Sequence, residues 1–148
     1  MMKADSSQMP SSPAADVQRP FILVADDERR IADTLVLILN SKGYKAEAAH
    51  DGISALEICQ QRVPDLLLTD VVMPGMNGIE LAIAIRQQFI ACQILLFSGH
   101  AETSEILQDA RRRGFDFELL AKPLHPEQLL RKIKELLGTH DPHQQRIA

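Results

Sequence analysis

Four apolar runs of strand length each end on residues that can do chemistry. Phe21 to Ala25 leads into Asp26-Asp27, Leu66 to Thr69 into Asp70, Ile94 to Phe97 into Ser98-Gly99, and Leu119 to Ala121 into Lys122-Pro123. If the runs are neighbouring parallel strands, all four endings open on one rim, where an open α/β sheet places its ligands. Three carboxylates, a hydroxyl and an ammonium then share a pocket. Two carboxylates about 4 Å apart repel by about 4 kcal/mol at an effective dielectric of about 20. Such a cluster either stays partly protonated or takes up a cation. A hard divalent ion such as Mg²⁺ suits it best, because it takes oxygen ligands and keeps positions for water or phosphate oxygens. One carboxylate is then spared as a nucleophile. A charged lysine cannot ligate the metal, so its expected task is to meet an anion that arrives with it, and the anion expected is a phosphoryl group.

The elements that must hold these residues alternate strand and helix five times. After Phe21 to Ala25 the spacing of Ile31, Leu35, Ile38 and Leu39 predicts a helix from about Glu28 to Lys42, stopped by Gly43. Tyr44 to Ala48 reads as a weaker strand. Asp51-Gly52 introduces a second helix with Ala55, Leu56, Cys59 and Val63 on one side, and Pro64-Asp65 ends that connection. Asn77 or Gly78 opens a third helix to about Phe89. A fourth runs from about Thr103 to Arg113, ended by Gly114. Pro126 starts the last helix, through Leu137, with Leu129, Leu130, Ile133, Leu136 and Leu137 as its buried stripe and Gly138 closing it. Five such units predict the α/β class: a doubly wound, five-stranded parallel sheet with helices on both faces.

At the rim residues the chain resembles a response-regulator receiver domain, the phosphoryl-accepting half of bacterial two-component signalling, in its stand-alone, chemotaxis-regulator-like form. The matching pieces are Asp26-Asp27, Asp70 followed by Val71-Val72-Met73-Pro74-Gly75-Met76-Asn77-Gly78, Ser98-Gly99, and Lys122-Pro123, in this order, within roughly Arg19 to Leu137. The resemblance implies a flavodoxin-like receiver fold with strand order 2-1-3-4-5. It implies Asp70 as phosphoacceptor, Mg²⁺ bound by Asp27, Asp70 and the Val72 carbonyl, and Asp26 holding a metal-bound water. It further implies Ser98 as the switch hydroxyl, Lys122 paired with the phosphoryl group, and a cis Lys122-Pro123 bond. The implied partners are a sensor histidine kinase or a histidine phosphotransfer protein, and an output protein that the sequence does not name. The chain departs from the family pattern at Leu119, three residues before Lys122, where a Tyr or Phe often moves with activation. The segment from Ser98 to Lys122 is slightly longer than usual, and Val72 and His100 occupy the variable positions that influence how long the phosphoryl group persists.

Composition narrows the rest. The 148 residues suit one domain, expected over residues 20–138, with a disordered tail at 1–19, a short polar tail at 139–148 and no separate output domain. A net charge of −4 argues against direct nucleic-acid binding, which needs a basic stripe. No segment approaches the roughly 20 apolar residues of a membrane span, and Met1 to Arg19 lacks the apolar stretch of a signal peptide, so a cytoplasmic protein without membrane insertion is expected. Cys59 and Cys92 fit neither a disulfide framework nor a metal spacing and read as reduced packing residues. His140 and His143, in the tail, lack further ligands for a metal site. Arg111 to Arg113 read as a solvated helix end complementing the macrodipole. Alternation along the last strand points Leu120 and Lys122 one way and Phe117, Leu119 and Ala121 the other, so Phe117 and Leu119 are expected to form an apolar patch.

Bland readings exist for each rim residue: a helix cap at Asp26-Asp27, a turn former at Asp70, a solvated hydroxyl at Ser98, a surface charge at Lys122. Their convergence on four strand ends favours the chemical reading, of a signalling domain rather than an enzyme. Two alternatives remain: a receiver-like scaffold that binds partners without phosphorylation, whose mark would be loss of an acidic, acceptor or lysine position, and a phosphohydrolase with an aspartyl nucleophile. Relatives of the second kind, resembling haloacid dehalogenases, carry a second Asp two residues after the first, where this chain has Val72.

Overall fold

The computed structural model describes residues 19–99 and 103–138. Its strands are β1 (Phe21–Ala25), β2 (Lys45–Ala49), β3 (Leu66–Asp70), β4 (Gln93–Ser98) and β5 (Glu118–Ala121). The helices are α1 (Arg29–Ser41), α2 (Gly52–Gln61), α3 (Gly78–Gln88), α4 (Thr103–Arg112) and α5 (Pro126–Leu137). The strands form one parallel sheet in the order β2-β1-β3-β4-β5. Of the expected tails only Arg19 is described, its guanidinium donating to the Tyr44 carbonyl at 2.6 Å; the rest of both tails, His100, His140 and His143 lie outside the described residues.

The sheet is buried on both sides, which is why its central strands read as unbroken apolar runs rather than alternating ones. Period-two geometry divides them. Phe21, Leu23, Leu67, Ile94 and Leu96 pack with Ala55 and Cys59 of α2, Leu81, Ala82 and Ile85 of α3, and Leu107 and Ala110 of α4. Ile22, Val24, Leu66, Leu68, Leu95 and Phe97 pack with Ala32, Leu35 and Leu39 of α1 and Leu129 and Ile133 of α5.

Local chemistry sets the helix ends. Asp51 caps α2 by accepting the Ser54 amide at 2.7 Å. Asn77 and Glu80 cap α3 reciprocally, each side chain accepting the other's backbone N–H at 2.8 Å. Pro126 sits in the first turn of α5. Gly43 turns the chain out of α1 at φ 95°, a left-handed conformation that a side chain resists.

Three expectations need correction. Val63 is not on the buried side of α2: the helix stops at Gln61 and Val63 is exposed. The Arg62 guanidinium instead covers the Phe21 ring, 4.3 Å from its centroid. Phe117 does not join Leu119 in a surface patch. It is buried, stacked beside Phe115 and under the Arg86 guanidinium, while Leu119 is exposed. The second strand begins one residue later than expected, at Lys45.

Cys59 and Cys92 are free and buried, and burial pushes their thiols up to about 11 and about 12, so both stay protonated and unreactive at neutral pH. The Arg111–Asp116, Arg112–Asp109 and Arg113–Asp109 pairs lie at 3.2, 3.7 and 4.0 Å on an exposed helix end, where each contributes little to stability.

Candidate functional site

The strand register brings the four endings together. Ala25 is level with Thr69, Asp70 with Phe97, and Ser98 with Ala121, so Asp26, Asp70, Ser98 and Lys122 emerge within one or two residues of a common level. Carboxylate oxygens of Asp26, Asp27 and Asp70 all lie within 4.8 Å of one another. Lys122 Nζ donates to Asp70 Oδ2 at 3.3 Å and lies 5.3 Å from the Phe97 ring centroid. The Lys122–Pro123 peptide is cis.

Asp26 and Asp70 are buried, whereas Asp27 is exposed at the mouth. Asp70 Oδ1 accepts the Val72 amide at 3.3 Å, and its backbone carbonyl accepts the Thr69 hydroxyl at 3.0 Å. The backbone of Asp26 is tied on both sides. Its N–H donates to the Ala49 carbonyl at 3.0 Å, and its carbonyl lies 3.3 Å from His50 Nδ1, which donates there in the Nδ1–H tautomer. Asp26 Oδ1 accepts the Glu28 amide at 3.0 Å. Asp26 Oδ2 is buried without a hydrogen-bond partner.

Desolvation pushes the Asp26 carboxyl from its ordinary value of 3.8 up to about 6, with Asp70 and Asp27 adding to the rise and the Glu28 amide and Lys122 opposing it. A buried, unpaired carboxylate oxygen beside two further carboxylates fits a hard divalent cation, which would give it the partner it lacks. Without metal, ionised Asp26 costs the fold up to about 3 kcal/mol at about 1.4 kcal/mol per pKa unit, and about 1–2 kcal/mol once relaxation and water access are allowed for. The folded carboxyl titrates near 6 and the unfolded one near 3.8. The cost is therefore absent below about pH 4, grows between the two values and is full above about pH 7. Asp26→Asn is expected to raise the melting temperature of the metal-free protein by about 5 °C at about pH 7.5, with the gain shrinking as pH falls toward about 5. Thermal unfolding over that range checks it; a gain that grows toward acid would contradict it.

Ser98 Oγ lies 2.5 Å from Thr103 Oγ1, and both residues are buried. Thr103, His50 and the close packing of Gly78 under Asp70 were not singled out by sequence reasoning. A serine and a threonine five residues apart, a histidine before a cap, and a glycine opening a helix are all ordinary in isolation.

Comparison with known proteins identifies the family. The model of the response regulator receiver domain family matches residues 22–134, and the chain belongs to that family. It is 29% identical over 126 residues to the DNA-binding response regulator MtrA of Mycobacterium tuberculosis, covering 85% of this chain and 54% of that protein. It is 35% identical over 116 residues to the response regulator MprA of Mycobacterium ulcerans, covering 78% of this chain and 49% of that one. The chain thus spans about half the length of the curated relatives it matches. Among solved structures, the chemotaxis response regulator CheY4 of Vibrio cholerae superposes with a TM-score of 0.71 at 30% identity, over 80% of this chain and 99% of that one. A CheY-like receiver domain protein from Methanospirillum hungatei gives 0.76 at 27% identity, over 85% and 99%. Among the described residues, no helix is long and apolar enough to cross a membrane.

Proposed function

We propose that this chain is a response-regulator receiver domain that accepts a phosphoryl group onto Asp70 from a histidine kinase or a histidine phosphotransfer protein, and that the modified form switches binding of an output protein. In this reading residues 20–138 are the receiver unit. The net charge of −4 supports an output that does not rest on direct nucleic-acid contact. The observation that carries the proposal is the convergence of Asp26, Asp27 and Lys122 on one buried carboxylate, Asp70.

An Asp70 oxygen attacks phosphorus in line. The P–O bond to aspartate forms as the P–N bond to the donor imidazole breaks, and the electron pair stays on that nitrogen. Lys122 already contacts Asp70, so it needs only a short movement to pair with the phosphoryl oxygens instead. Asp26, Asp27, Asp70 and the Val72 carbonyl would hold Mg²⁺, which supplies neutralisation of the negative charge shared by nucleophile and phosphoryl group. The Ser98 hydroxyl donates to the group once it is in place.

Separate roles for Asp27 and Ser98 give the test. Asp27→Ala is expected to weaken Mg²⁺ binding by roughly 10–100-fold and to slow phosphoryl uptake from acetyl phosphate, because a ligand carboxylate is lost. Ser98→Ala is expected to keep Mg²⁺ affinity and still accept the group while losing coupling to the output surface. Metal titration and uptake kinetics on both variants decide the matter. Equal loss of metal affinity would refute the division of roles.

A further inference from the structure

The position that often carries a mobile aromatic ring is Leu119 here, which has no hydroxyl to report on the site. Another hydroxyl lies closer. Thr103 Oγ1, on the first residue of α4, is 2.5 Å from Ser98 Oγ, in a region where both residues are buried. We infer that Thr103 is a positioning residue that hands the movement of Ser98 to α4, so that the state of Asp70 is read out as a displacement of that helix. This inference rests on the reading of Asp70 as phosphoacceptor.

Three features support it. The Ser98 backbone is pinned, since its carbonyl accepts the Lys122 amide at 3.0 Å and the residue pairs with Ala121 of β5. Ser98 therefore responds to a new anion by turning its side chain, and the hydroxyl bonded to it must follow or lose a buried hydrogen bond. Second, there is room to follow. A cavity of about 370 Å³ lies between Ser98, Thr103, Ser104, Leu119 and Lys122. Third, α4 is lightly anchored. It buries Thr103, Leu107 and Ala110, whereas α3 buries six residues including Ile79, Leu81, Ile83 and Ile85. A helix held by Leu107, Ala110, the half-buried Ile106 and one hydroxyl contact has fewer buried anchors than α3 and shifts more readily than that neighbour.

The test uses the full chain with beryllofluoride and Mg²⁺ as a stable stand-in for the phosphoryl group. Binding is followed by ¹⁹F NMR, and hydrogen exchange is followed on peptides covering Thr103–Arg112. In the wild type, binding is expected to change protection across α4. Thr103→Val should still bind beryllofluoride but lose more than half of that change, and Thr103→Ser, which keeps the hydroxyl, should restore it. Ser98→Ala severs the same pair from the other side and should show the same loss in α4, with Thr103→Val adding nothing on that background. A wild-type-sized change in Thr103→Val, or no rescue by Thr103→Ser, would overturn the role of Thr103 while leaving phosphoryl acceptance standing. Absence of a bound ¹⁹F signal in the wild type would overturn the phosphoacceptor reading and this inference with it.

Discussion

Asp70→Asn is expected to abolish phosphoryl uptake, with a loss of at least about a thousandfold, because the amide removes the nucleophile itself rather than a group that assists it. The change is nearly isosteric. It also lowers the repulsion among three acids whose oxygens lie within 4.8 Å of one another, so the fold should survive it. Phosphate-affinity gel electrophoresis after exposure to acetyl phosphate and Mg²⁺ provides the readout. Undiminished uptake in Asp70→Asn would place the nucleophile elsewhere.

The largest expected effect on stability comes from Gly78. A Cβ there would stand 2.0 Å from the Asp70 carbonyl oxygen and 2.8 Å from the Val71 Cα, which are backbone atoms that cannot swing aside. The same place is fastened by the Gly78 N–H donating to the Val71 carbonyl at 2.8 Å and by the Asn77–Glu80 cap. Gly78→Ala must therefore displace either the start of α3 or Asp70 itself, with destabilisation of about 3 kcal/mol or more. Gly75 is the contrast. Its φ is 74° but nothing lies within 4 Å of its added Cβ, so Gly75→Ala should cost about 1 kcal/mol, from backbone conformation alone. Denaturant unfolding of both variants checks the ranking; similar losses would contradict the argument from close approach.

The rim of the site was legible because the apolar runs of β1, β3 and β4 are buried on both sides of the sheet and stop where the strands stop, leaving Asp26, Asp70 and Ser98 at its edge, while Lys122 follows the edge strand β5, whose residues are exposed or half-buried. The third helix was equally readable from Asn77 and Gly78, since its cap is local chemistry. Sheet order was not readable from periodicity, which carries no pairing information, and came from the family resemblance. Val63 was misplaced because helical spacing says nothing of where the helix ends. Phe117 was misplaced because alternation assigns a face but not depth: α3 reaches over that face and the Arg86 guanidinium covers the ring. Thr103 and His50 act through contacts across loops, Thr103 with Ser98 and His50 with the Asp26 carbonyl, and such contacts leave no pattern in the chain.

The most direct measurement of the central claim is chemical trapping of the adduct on the wild-type protein. After incubation with acetyl phosphate and Mg²⁺, borohydride reduction converts an aspartyl phosphate to homoserine, and peptide mass spectrometry locates it. Homoserine at position 70, dependent on Mg²⁺ and absent when chelator is added first, is the expected result. Homoserine at position 26 or 27, or none at position 70 under conditions that leave the protein folded, would contradict the assignment of Asp70 as the residue that takes the phosphoryl group.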